Sequence, residues 1–160
     1  MTTAINVRRA GTDDGAVLAG LLSDMQAHYG SPDPPGGASE MARLLTREGE
    51  HLPFALLAEH DGIVLGFATL TPVLYGGAYQ WELFLKDLYV TKQARGLGIG
   101  RALLVAIARI AVEQNYCRID WTTDATNEGA QRLYDQLGVP RHDKVFYRLS
   151  GDNLKKFAAG

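Results

Sequence analysis

Gln93-Ala94-Arg95-Gly96-Leu97-Gly98-Ile99-Gly100-Arg101 is the stretch on which the fold turns. Its three alternating glycines lie between an apolar strand pattern, Trp81 to Val90, and a helical one, Arg101 to Ile110. Glycine tolerates positive φ and carries no side chain to cover its amide, so the run leaves N–H groups open at a helix N-terminus. The helix dipole adds partial positive charge, and Arg95 and Arg101 bracket the turn with full charges. Such a turn suits a diphosphate; a tight strand-to-helix connection with no ligand is the plainer alternative. No Gly-Lys-Ser/Thr follows, so a nucleotide P-loop lacks its lysine and its magnesium hydroxyl. For the dinucleotide fingerprint the third glycine comes one residue early, although Asp120 lies about 20 residues on, where an acidic residue is wanted.

Working outward, Ile99, Leu103, Ile107 and Ile110 mark one face of the helix that leaves the turn. Cys117 to Thr122 reads as the next strand, with Cys117 as an inert core thiol, so strand, helix and strand form a right-handed parallel crossover. Asn127 reads as the N-cap of a second helix carrying Ala130, Leu133, Tyr134 and Leu137, and Gly138 stands at its C′ position. A last strand is expected around Val145 to Leu149, then a short helix over Asn153 to Phe157.

Upstream, Ile5 to Arg8 alternates as a short strand, and Thr12 precedes Asp13-Asp14 as a helix cap. Val17, Leu18, Leu21, Leu22 and Met25 follow at helical spacing, and the helix should stop near Tyr29-Gly30 before the Pro/Gly-rich segment 31–37. A second short helix, capped by Ser39, would carry Met41, Leu44 and Leu45. Asp61-Gly62 between two apolar runs, Phe54 to Glu59 and Ile63 to Leu70, is a strong hairpin signal. The expected architecture is α/β: a mixed sheet, antiparallel in its N-terminal half and parallel across the strand-helix-strand crossover, in a single domain over 1–160.

Composition narrows the function classes. With 160 residues, 46% of them hydrophobic, the chain should bury about 70% of its unfolded surface in one core. Sixteen basic against 18 acidic side chains leave no excess of positive charge for phosphate backbones, which argues against nucleic acid as partner. One cysteine excludes an internal disulfide and suits a reducing, cytoplasmic setting. No apolar run reaches the roughly 18 residues of a membrane span, and Met1 to Asn6 does not read as a signal peptide. His28, His51, His60 and His142 show no metal-ligand spacing, so no metal is expected.

At the glycine turn the chain resembles the GNAT superfamily of N-acetyltransferases. Arg95, Gly98 and Gly100 meet that family's Arg/Gln-x-x-Gly-x-Gly/Ala signature. The hairpin Glu59 to Ala68, the strand Leu85 to Val90, the helix Asn127 to Gly138 and the segment Phe146 to Gly151 extend the likeness over most of the chain. Within the superfamily it looks most like the spermidine/diamine acetyltransferase branch. The resemblance implies acetyl-coenzyme A as cosubstrate, its diphosphate on the backbone of Arg95, Gly96, Leu97, Gly98, Ile99, Gly100 and Arg101. It also implies a pantetheine arm along Leu88, Tyr89 and Val90 with a further contact from Asn127, and Tyr134 as general acid. Relatives are commonly dimers, and Leu149 to Phe157 is a stretch that could pack on a partner; a monomer is the alternative.

Acetyl transfer to an amine needs a neutral nitrogen, a polarised carbonyl and a protonated leaving thiolate. A Tyr134 phenol of pKa near ~10 can share its proton with a thiol near ~8.5. Asp87 and Glu82 remain as candidates for taking the amine proton. The diamine branch usually reads Glu-Asp where this chain has Lys86-Asp87, and it carries acids where His28-Tyr29 and Lys144-Val145-Phe146 stand here. Lys86 is therefore read as recognising a substrate anion, with a surface lysine paired to Glu82 as the plainer account. His28 and Tyr29 would line the acceptor pocket. The expected partner is a small primary amine, amino-acid-like or a diamine; a protein lysine or N-terminus, or a non-catalytic acyl-coenzyme A sensor, are the alternatives.

Overall fold

The structure, a computed structural model, describes residues 4–77 and 79–160, so Met1 to Thr3 of the amino-terminal reading lie outside it. The chain forms two compact units, Met1–Ala125 and Thr126–Gly160. No helix among the described residues is long and apolar enough to cross a membrane.

The first unit is a five-stranded sheet in the order β1 (Asn6–Arg9), β2 (Phe54–His60), β3 (Ile63–Tyr75), β4 (Gln80–Val90), β5 (Ile119–Asp120). β1 to β4 pair antiparallel, and β4 and β5 pair parallel across helix α3 (Ile99–Glu113). This is the mixed sheet that the sequence predicts. Asp61 and Gly62 take φ of 52° and 76°, as a two-residue hairpin with matching twist requires.

Side chains of one strand alternate between two apolar layers. Leu56, Ala58, Ala68, Leu70, Leu83 and Leu85 bury against α3. Ala55, Leu57, Phe67 and Tyr89 bury on the other face against α1 (Gly15–Tyr29) and α2 (Gly37–Leu45). The predicted α3 stripe holds: Ile99, Leu103 and Ile107 are fully covered. α1 ends where expected, with Gly30 in the left-handed region at φ 63°.

Two breaks in register matter. Thr69 pairs with Asp87 and Leu70 with Leu85, leaving Lys86 as an extra residue in β4. Leu65 is extra in β3, between the Ala58–Gly66 and Glu59–Val64 pairs. A bulge resets the alternation of every residue beyond it.

Several local expectations are corrected. The strand expected over 117–122 is only Ile119–Asp120, because pairing to β4 stops at Leu83 and Phe84, ahead of the Lys86 bulge. Cys117 precedes that strand and is exposed, so it is no core thiol. Thr12 does not cap α1: it opens a 3-10 turn, Thr12–Asp14, whose Asp14 carboxylate accepts the Gly11 N–H at 2.7 Å. Ser39 lies inside α2, which begins earlier because Gly36 adopts φ 77° and leads straight into the helix.

In the second unit, α4 (Glu128–Gln136) is capped as predicted, the Asn127 Oδ1 accepting the Ala130 N–H at 3.2 Å. Gly138 at φ 73° closes it, with its own N–H to the Asp135 carbonyl and the Val139 N–H to the Tyr134 carbonyl. α5 runs over Gly151–Ala158, two residues earlier than expected. Residues 145–149 join no ladder among the described residues, because apolar alternation specifies a face without supplying a neighbouring edge.

Asp14 also ties β1 to this frame. Its two oxygens take Arg8 Nη1 and Nη2 at 2.7 and 2.8 Å, while Arg8 Nε reaches Glu59 at 2.9 Å. The Arg8 hydrogen bonds hold the Asp14 carboxyl below its ordinary 3.8, desolvation opposing and the Gly11 amide assisting. A depressed carboxyl stabilises the fold above the unfolded value, and the gain is lost as pH falls through the folded one. Asp14→Asn is therefore expected to cost about 1 to 2 kcal/mol at pH 7. Urea melts should show this gap narrowing once the pH drops below 3.8.

Candidate active site

The chemistry-bearing residues of the first unit gather around the carboxyl end of β4 and the turn that follows it. Beyond Val90 the chain makes a 3-10 turn, Lys92–Ala94, then passes Gly96 and Gly98 at φ 80° and 84° into α3. These two left-handed positions are ones that glycine reaches without steric penalty. The Leu97 amide is spent on the Ala94 carbonyl. Those of Gly96, Gly98, Ile99 and Gly100 find no acceptor within the chain among the described residues. The Thr91 hydroxyl at the start of the turn is shut off from solvent with no partner there either. Open amides at the start of a 15-residue helix are a donor set that fits a diphosphate. Thr91 carries no motif signal, so the sequence did not single it out.

Arg95 turns back from the glycine turn. Its Nε donates to the Val90 carbonyl at 3.4 Å, and an Nη lies 3.2 Å from the His28 Nε2. His28 sits in the last turn of α1, its ring 4.8 Å from that of Tyr29 and 6.1 Å from that of the buried Tyr89. The structure thus brings His28, Tyr29, Tyr89 and Arg95 together. Arg101 is exposed, without an ion pair among the described residues.

β4 itself opens on one side. The Thr91 N–H bonds the Leu65 carbonyl on β3, so by alternation the main-chain groups of Leu88 and Val90 point to the opposite edge. β5 has left that edge by Phe84. Beside the glycine turn the main-chain groups of Leu88 and Val90 therefore face an edge with no neighbouring strand among the described residues, where the Val90 carbonyl meets the Arg95 side chain.

Alternation also fixes where the charged pair goes. Leu85 is buried against α3, so Lys86 lies on the α1–α2 face. Leu88 packs on the α3 side as well, so counting back puts Asp87 on the α1–α2 face too. Adjacent strand residues normally face opposite ways; the bulge puts this cation and anion on one face. Asp87 is half-buried and accepts a hydrogen bond from the buried Thr69 hydroxyl. Lys86 is exposed and makes no ion pair among the described residues.

Glu82 is placed differently. Its carboxylate, 8% exposed, takes Arg118 Nε at 2.5 Å, and Arg118 also approaches Asp120 at 3.3 Å and lies over the Tyr75 ring. The Lys86–Glu82 pairing, the plainer account of Lys86, is not formed: Glu82 is engaged with Arg118 instead. Asn127 and Tyr134 belong to the second unit, where capping α4 alone accounts for the Asn127 side chain. A cavity of about 310 Å³, lined by Arg9, His51, Phe54, Gln114 and Tyr116 among others, contains none of these residues.

The acetyltransferase (GNAT) family model matches residues 19–139. The chain is 31% identical over 134 residues to an uncharacterized N-acetyltransferase of Bacillus subtilis, covering 84% of this chain and 89% of that protein. It is 34% identical over 90 residues to the D-amino-acid N-acetyltransferase of Saccharomyces cerevisiae, covering 56% of this chain and 55% of the yeast protein. An integron cassette protein from the mobile metagenome of V. cholerae superposes with a TM-score of 0.80 at 30% identity, over 98% of both chains.

One further contact holds the site together. A Cβ on Gly66 would lie 2.8 Å from the Tyr89 carbonyl oxygen and 3.0 Å from Ile99 Cγ2. The first residue of α3 is thus pressed onto the β3–β4 pair through a glycine. Gly66→Ala is expected to cost about 1 to 3 kcal/mol, as overpacking does, and to displace the start of α3. Thermal melts, together with calorimetric titration of a diphosphate-bearing ligand, should show both stability and affinity falling.

Proposed function

Because the chain belongs to the GNAT acetyltransferase family and is an acetyl-CoA-dependent N-acetyltransferase, we propose that its acceptor is the primary amine of a small amino-acid-like molecule. One observation carries this reading: Lys86 and Asp87 stand side by side on one face of β4, where the bulge brings them. A diamine offers two cations, and a lysine in the pocket repels one of them. A zwitterion offers one charge to each partner, its carboxylate to Lys86 and its ammonium to Asp87. The D-amino-acid activity in the name of the yeast relative supports the same class. For the same reason the spermidine/diamine branch is set aside as the acceptor type. The family match runs from 19 to 139, across the boundary at Ala125, which supports one N-acetyltransferase domain over both units.

Acetyl-coenzyme A supplies the acyl group as a thioester, and the amides of Gly96, Gly98, Ile99 and Gly100 are the groups to hold its diphosphate. Leu88 and Val90 offer main-chain groups along the open edge for the remainder of the molecule. Asp87 draws the substrate ammonium in and accepts its proton, leaving a lone pair on nitrogen. The nitrogen attacks the acyl carbon, the C–N bond forms and the C–S bond breaks, and the second proton that the nitrogen sheds as the amide forms replaces the one Tyr134 gives up. His28 and Tyr29 contribute a wall of the acceptor pocket, and Tyr134 gives a proton to the departing thiolate. Positioning supplies a large part of the rate, because the attack requires no covalent enzyme intermediate.

Coenzyme A release across a panel of free amino acids, diamines and spermidine tests the acceptor class. Amino acids should be used in preference to spermidine, and Lys86→Ala should raise the amino-acid KM about tenfold while leaving the acetyl-coenzyme A KM alone. Preference for spermidine in the parent enzyme overturns the reading. A second expectation concerns the acid: Tyr134→Phe should lower kcat about 10- to 100-fold with coenzyme A affinity kept, the scale of general acid–base catalysis. An unchanged kcat removes Tyr134 from that role.

A further inference from the structure

A buried hydroxyl must find a partner or bear the cost of desolvation. Thr69 is 2% exposed, and its Oγ1 donates to Asp87 Oδ2 at 2.6 Å, the length of a hydroxyl bonded to an ionised carboxylate. The two residues are cross-strand partners at the last regular pair before the Lys86 bulge, and both lie on the α1–α2 face with Phe67 and Tyr89. The bulge leaves Lys86, next to Asp87, with no residue opposite it. Thr69 is the cross-strand neighbour that remains to hold the Asp87 carboxylate.

We infer that Thr69 is a positioning residue for substrate capture. By taking Oδ2 it fixes the Asp87 rotamer before the amine arrives and leaves Oδ1 as the oxygen that meets the ammonium. The inference rests on the reading of Asp87 given under the proposed function. It adds a residue that no sequence motif marks for chemistry, on a strand that carries no other candidate group. Preorganisation of this kind acts on the acceptor and leaves the diphosphate turn untouched. A structural hydroxyl would affect both alike.

The test measures coenzyme A release with acetyl-coenzyme A and the best amino acid of the panel, in the full-length chain. Thr69→Val should lower kcat/KM for the amino acid about 10- to 100-fold, the range for losing a hydrogen bond to a charged group. Calorimetric affinity for coenzyme A should stay within about twofold, within the spread expected of an uncoupled site. Should valine unsettle the fold, Thr69→Ser and Thr69→Ala differ by the hydroxyl alone. Serine should keep most of the activity and alanine lose it. In an Asp87→Asn background, Thr69→Val should add little, because the hydroxyl acts through that carboxylate. Full activity in Thr69→Val and Thr69→Ala beside a slow Asp87→Asn overturns this inference alone, and so does an equal loss in both backgrounds. Undiminished turnover in Asp87→Asn overturns the reading of Asp87 and the inference built on it together.

Discussion

Side chains along a strand alternate with a period of two, and a single inserted residue reverses every face beyond it. That constraint governs β4. From Trp81 to Leu85 the strand is an ordinary member of the sheet, paired with β3 on one side and, at Leu83 and Phe84, with β5 on the other. After Lys86 the alternation is reset and pairing to β5 is over. The ring of Tyr89 then packs with Phe67 on the α1–α2 face, while Leu88 and Val90 pack toward α3. A regular β4 would put Asp87 on the face of Leu85, under α3, where an unpaired carboxylate is costly.

The glycine turn draws on the same geometry. Divergence of β5 leaves the main chain of Leu88 and Val90 without a neighbouring strand on that edge among the described residues, and the turn begins one residue further on. Gly66 lets Ile99 come down onto the sheet at this point, so the N-terminus of α3 is fixed relative to the strand edge. The open amides of the turn and the free edge of β4 are thereby held together, and Arg95 ties them to the end of α1 through His28. Rigid donors of this kind lose little on binding, since they are ordered already.

Much of this was legible in the residues. The hairpin at Asp61-Gly62, the end of α1 at Gly30, the apolar stripe of α3 and the Asn127 and Gly138 caps of α4 rest on local rules that need no knowledge of the rest of the chain. So does the glycine turn. The errors share a cause as well. Cys117 to Thr122 and Val145 to Leu149 show the alternation of strands, but a strand exists only where an edge is offered to it. Thr12 and Ser39 are good capping residues, overruled by Asp14 bonding to Gly11 and Arg8 and by the left-handed Gly36. The Arg118 partner of Glu82 was not legible either, because it lies 36 residues away and nothing nearby announces it.

The sequence by itself determined the order of elements as far as α4, the mixed sheet, the anion-suited turn and the residue types available to the chemistry, because periodicity, turn propensity and helix capping are short-range effects. Only the tertiary structure decided that Lys86 and Asp87 share a face, that Glu82 pairs with Arg118, and that Thr69 stands opposite Asp87. Each of these depends on cross-strand register, and register is set by the packing of both layers at once.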